Sequence, residues 1–110
     1  MPLQIIRQDI TKIECDAIVN PSNENLNPGG GVDLAIHKKA GKELFEYCQK
    51  IGKCKIGNAV ITPGANLQCK YVIHTAGPVW QKENKRECIS LLESCYKESL
   101  KLVKDRKSVV

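Results

Sequence analysis

The chain alternates short apolar runs with polar turns. Leu3 to Arg7 predicts a strand, with Asp9-Ile10-Thr11 at its end, and a turn through Glu14-Cys15-Asp16 leads into a second strand at Ala17-Ile18-Val19. Helical spacing then takes over, from Val32 to Ala40 and, after a break at Gly41, from Lys42 to Lys50. Gly57 to Thr62 predicts a strand that stops at Pro63-Gly64, and Tyr71 to Thr75 another that stops at Gly77-Pro78. From Asn84 to about Lys104 the apolar positions Cys88, Leu91, Leu92, Cys95, Leu100 and Val103 recur at helical intervals. Asn84 and Glu87 stand three apart at its start, the spacing of a capping pair. Ser108-Val109-Val110 has the composition of a strand opening as the sequence ends.

Strands alternating with helices predict an α/β fold, with a largely parallel sheet between helical layers. In such folds ligands bind beyond the carboxyl ends of the strands, which here places Asp9, Asn20 to Asn23, Thr62 to Gly64 and Thr75 to Pro78 around one site. No internal repeat or interdomain linker is visible, so the 110 residues read as one domain.

Composition adds boundaries rather than chemistry. A hydrophobic share of 42% and a charged share of 26% are those of an ordinary globular protein, and no apolar run suits a membrane span. The expectation is a cytoplasmic chain with no membrane partner. Six cysteines without a Cys-x-x-Cys pair, and two histidines that complete no zinc pattern, predict reduced structural thiols and no metal site. Cys88 and Cys95 fall on the apolar stripe of the last helix. The net charge of +5 favours anionic ligands, but the cations are dispersed and aromatic side chains are few, so nucleic acid ranks below other partners.

The candidate chemistry sits between the Ala17 strand and the Val32 helix. Gly29-Gly30-Gly31 lets the backbone approach a ligand and aim successive amides at one anion, and the helix that follows adds the positive end of its dipole. Asn20 and Asn23 supply neutral amides suited to a ribose hydroxyl. Asp33 and His37, four apart, share a helix face, so an acid and an imidazole stand beside a phosphate cradle. Taken singly, these features also fit a flexible turn, an acid on a helix dipole and an ordinary histidine.

With those residues placed, the sequence resembles a macrodomain, the ADP-ribose-binding α/β/α fold, and within it the ADP-ribosyl hydrolases and O-acetyl-ADP-ribose deacetylases. Four segments carry the resemblance in order: Asp9-Ile10-Thr11, Ala17 to Asn23, "GGGVDLAIHKKAG" from Gly29, and "YVIHTAGPVW" from Tyr71. The resemblance implies a three-layer α/β/α sandwich around a mixed, mostly parallel sheet. It implies that Asp9 reads adenine with help from the Ile10 backbone, and that Gly29, Gly30, Gly31 and Val32 wrap the diphosphate and distal ribose. It further implies Asn23 as the amide on that ribose, Asn20 as its support, Asp33 as the catalytic acid and His37 as its helper. His74 would be a structural residue on the floor of the site.

The implied ligand is ADP-ribose or an ADP-ribosylated protein, with neither cofactor nor metal. Gln8, Pro21-Ser22 and Pro28 depart from the family's usual residues, and Pro28 removes one amide donor from the loop. The family's second glycine-rich loop, the aromatic near the ribose, and the last strands and helix have no counterpart after Val110. Three readings therefore stand: a hydrolase, a non-catalytic nucleotide-binding module, and an incomplete domain whose unpaired sheet edge takes a second chain.

Overall fold

The computed structural model describes residues 4–103 and 109–110. Strand β1, Cys15–Ser22, leads through the glycine loop into helix α1, Gly31–Ala40, and helix α2, Lys42–Ile51. Strands β2, Ala59–Pro63, and β3, Cys69–Ala76, form a hairpin, and a 3-10 turn at Lys82–Asn84 opens helix α3, Lys85–Leu102. The strand order is β1-β3-β2, with β1 parallel and β2 antiparallel to β3. Val109 adds a parallel bridge to Ala17, with Val19 N–H donating to Val110 O at 2.6 Å and Val110 N–H to Ala17 O at 2.9 Å. The strand expected to open at Val109-Val110 thus does return to the sheet, while Ser108 lies outside the described residues.

Side-chain alternation along the strands divides the core into two layers. Ile18 and Val72 face α1 and α2, where they pack with Ile36, Ala40 and Leu44. Ala17 and Ile73 face the opposite way, onto Val103 at the end of α3. The result is the expected α/β/α arrangement around a mixed sheet. The two helices on the first face are separated by Gly41, whose φ of 85° disfavours any residue with a Cβ and turns the chain between them. All six cysteines are free and five of them buried, Cys88 and Cys95 among them. No helix among the described residues is long and apolar enough to cross a membrane.

Several expectations need correction. Leu3 lies outside the described residues, and Gln4 to Arg7 form no strand: the segment joins no ladder with a described strand, and Ile5 is 93% exposed. β2 starts at Ala59 rather than Gly57, whose φ of 92° is not a strand conformation. Because β2 runs antiparallel, its carboxyl end lies at the opposite end of the sheet from those of β1 and β3. Pro63 pairs with Tyr71 while Ala59 pairs with Thr75, so Pro63-Gly64 cannot wall a site at Asn20 to Asn23. Gly64 instead makes the tight hairpin turn, where a Cβ would collide with the Cys69 carbonyl oxygen. Asn84 does precede α3, but its side chain donates to Gln81 Oε1 at 3.1 Å and caps nothing.

Candidate functional site

The site is built where β1 ends and α1 begins. Asn20 is the last inward-facing buried residue of β1 and is fully buried. Its Nδ2 donates to Asp33 Oδ1 at 2.9 Å and also lies 3.1 Å from His74 Nδ1. Asp33, in the first turn of α1, takes a second bond from the Gly29 amide, whose N–H donates to Oδ2 at 3.0 Å. The carboxylate is 4% exposed, so strand, loop and helix converge on one nearly buried anion. The helix dipole favours negative charge at this end, which offsets part of the cost of removing it from water.

The glycines divide the work. At Gly29 an added Cβ would stand 3.2 Å from Asp33 Oδ2 and 3.6 Å from Asn23 Nδ2, so the missing side chain is what lets carboxylate and loop meet. Gly30 is an extended N-cap, with φ −100° and ψ −178°, open to any residue. Gly31 alone of the three has a positive φ, 59°. Gly31 and Val32 are exposed, and the first amides of α1 have no intrahelical acceptor, so they face outward as anion donors.

Ahead of the glycines the loop is clamped at both ends. Asn23 Nδ2 donates to Asn27 O at 2.8 Å, and Asn27 N–H returns to Asn23 Oδ1 at 3.2 Å. The amide expected to meet a ribose thus shapes the loop in this structure. Leu26, held at φ 57°, drives its side chain into a cluster with Cys48, Cys54 and Ala76, and pins the loop to the sheet. Sequence patterning missed Leu26, because one apolar residue among asparagines has no periodicity to report it.

His37 is buried, and its Nε2 approaches Asp33 Oδ1 to 3.3 Å without hydrogen-bond geometry, so both ring nitrogens lack a hydrogen-bond partner. Burial lowers its pKa, opposed by the Asp33 charge. Beneath it lies His74, fully buried, with its ring centroid 6.3 Å away. Burial, reinforced by His37 and opposed by Asp33, pushes His74 down to about 4. Its Nε2 lies 2.9 Å from Thr62 Oγ1 and 3.7 Å from Cys48 Sγ. The donor atoms of His37, Cys48 and His74 all lie within 4.8 Å of one another, a set that soft divalent metals accept. Here His74 is committed to Thr62 and Asn20, and burial pushes the Cys48 thiol up to about 11, which describes a packed trio rather than open ligands.

Asp9 and Ile10 stand apart from this group. Asp9 is exposed and accepts from Thr11 Oγ1 at 2.7 Å and Thr11 N–H at 3.0 Å, bonds that hold its pKa below the usual carboxylate value. The cation of Lys39, in the last turn of α1, adds to that field, and Ile10 packs against the α1 and α2 core. A cavity of about 450 Å³ lies elsewhere again, between α3 and the β1 edge. Its apolar lining, including Val19, Leu92, Tyr96 and Val110, offers little for chemistry, so the polar cluster and not this hollow defines the site.

The chain is similar to known proteins over most of its length. The model of the family described as "Macro domain" matches residues 19–110. A Macro domain-containing protein of Ralstonia nicotianae is 50% identical over 102 residues, covering 93% of this chain and 59% of its own. An O-acetyl-ADP-ribose deacetylase of Salmonella typhimurium is 49% identical over 104 residues, covering 91% and 58%. The crystal structure of the Trypanosoma brucei macrodomain in complex with ADP-ribose superposes with a TM-score of 0.82 at 36% identity, over 94% of this chain and 43% of that one. The chain therefore spans a little over half the length of the curated relatives it matches.

Proposed function

Because this chain belongs to the Macro domain family, we propose that it binds ADP-ribose and hydrolyses ADP-ribosyl derivatives, either releasing ADP-ribose from modified proteins or deacetylating O-acetyl-ADP-ribose. The observation that carries the reading is the Asp33 carboxylate, fixed by Asn20 and Gly29 at the head of a helix whose outward amides await a phosphate. The Trypanosoma neighbour's bound ADP-ribose and the Salmonella relative's name support the ligand class. The separation between Asp9 and the glycine loop suits a ligand with two ends, adenine at the first and distal ribose at the second.

In this mechanism the amides of Gly30, Gly31 and Val32 hold the diphosphate. Asp33 orients a water and accepts its proton as the oxygen attacks: at the distal ribose carbon the bond to the modified side chain breaks and that group leaves with the proton, and at the ester carbonyl the acyl–oxygen bond breaks, acetate leaves and the ribose oxygen takes the proton. Asn20 and Gly29 hold the carboxylate so that little reorganisation accompanies attack. Asn23 meets the ribose by exchanging its Asn27 bonds for ligand hydroxyls. His37, next to Oδ1, keeps the carboxylate oriented from the other side.

A specific observation favours a second reading, a binding module without turnover: Asp33 is 4% exposed and engaged on both oxygens, as an acid that only anchors its loop would be. Isothermal titration with ADP-ribose, with AMP as a control for the adenine end, tests binding. Micromolar affinity, roughly −8 kcal/mol, is expected, and no detectable heat would overturn both readings. Release of acetate or ADP-ribose from the corresponding substrates then separates hydrolase from binding module.

A further inference from the structure

We propose that His74 is a positioning residue for Asp33: it fixes the Asn20 carboxamide with its NH2 group toward the carboxylate, and Thr62 fixes the tautomer that makes this work. The inference rests on the reading of Asp33 as the hydrolytic base. It adds two residues, on strands β2 and β3, that stand outside the glycine loop and its helix.

Asn20 and His74 are direct partners in the β1/β3 register, so their side chains emerge on the same face of the sheet. Nδ2 lies 2.9 Å from Asp33 Oδ1 and 3.1 Å from His74 Nδ1, which uses both of its hydrogens. Oδ1 is left buried without a partner. A buried acceptor with no donor is costly, and the reversed amide would set its oxygen against a carboxylate and a bare ring nitrogen. The orphaned Oδ1 is thus the consequence of two acceptors that both demand the amide's hydrogens.

That demand holds only while His74 Nδ1 carries no proton. With Nδ1 accepting from Asn20, the ring hydrogen of neutral His74 stands on Nε2 and donates to Thr62 Oγ1 at 2.9 Å. Complete burial keeps the ring neutral, and His37 discourages a second positive charge nearby. A continuous path results, Thr62 on β2 to His74 on β3 to Asn20 on β1 to Asp33 on α1, at sequence separations of 12, 54 and 13. Each link restricts the next, so the carboxylate is aimed by the sheet as well as by its own helix.

The test uses the whole chain and two kinds of measurement. In nitrogen-detected NMR of the unsubstituted protein, His74 is expected as the neutral Nε2–H tautomer across about pH 5 to 8, with through-bond coupling between its Nδ1 and Asn20 Nδ2. A proton on Nδ1, or no coupling, would overturn the proposal whether or not the protein hydrolyses anything. His74→Leu is expected to lower turnover on the order of tenfold to a hundredfold with ADP-ribose affinity unchanged. His74→Asn, which returns an acceptor close to the place of Nδ1, is expected to recover most of that loss, and Thr62→Val to disturb the tautomer and turnover together. If His74→Asn stays folded and is as slow as His74→Leu, the acceptor is not what matters and the proposal fails. If the unsubstituted chain binds ADP-ribose without hydrolysing it, the hydrolase reading fails alone, and the NMR result still decides the path.

Discussion

Asn20 and Asp33 are joined by a 2.9 Å hydrogen bond from the end of a central strand to the first turn of the next helix, with the glycine loop closed between them. Asn20→Ala removes both amide hydrogens and leaves a carboxylate and a ring nitrogen buried beside an empty space. The expected cost is about 3 kcal/mol, read as a lower urea midpoint. A change below about 1 kcal/mol would mean that the contact contributes little to the fold.

Asp33→Ala separates binding from chemistry. Turnover should fall by at least about a hundredfold, while affinity for ADP-ribose stays close to that of the unsubstituted chain, because the outward amides of α1 remain. Turnover that survives the substitution would remove Asp33 from the mechanism.

The three glycines should respond differently to alanine. Gly31→Ala forces a Cβ onto a backbone at φ 59° and is expected to cost about 1 kcal/mol in thermal or urea unfolding. Gly30→Ala, with extended backbone and open space, should leave stability unchanged. At Gly29→Ala the new Cβ presses on Asp33 Oδ2 from 3.2 Å, so catalysis should suffer more than stability does. Equal responses at all three positions would show that the loop is only a flexible connector.

Stability should depend on pH through His74. Its pKa falls from 6.5 in the unfolded chain to about 4 in the folded one, so between these values the unfolded state binds the proton that the native state refuses. The contribution is fully present above about pH 6.5 and is lost as pH falls toward 4, an effect of about 3 kcal/mol. The titratable groups facing the ring are Asp33, His37 and Cys48, and the lowered pKa of His37 acts in the same direction. Urea midpoints at about pH 7 and pH 4.5 measure this, and His74→Asn should flatten the slope. An unchanged slope in that variant would assign the pH dependence to other groups.

Composition and spacing placed α1, α2, β3 and α3 within a few residues of their bounds. The family was legible in the four motifs, and the glycine loop with Asp33 announced itself through residue types that few other structures need in that order. What the chain could not state locally was decided by pairing and burial. Gln4 to Arg7 have strand-like composition but no described partner, and a strand without a ladder is no strand. Pro63-Gly64 left the site because β2 runs antiparallel, a direction that no local pattern encodes, while Thr62 stays buried beside His74. His74 read as an ordinary core histidine, since its meaning depends on register with Asn20 and on Thr62 from a neighbouring strand. Hydrogen-bond chemistry at a site is a property of distances between residues far apart in sequence. Residue types can nominate such groups, but only the packed sheet brings Asn20, Asp33, His74 and Thr62 into reach of one another.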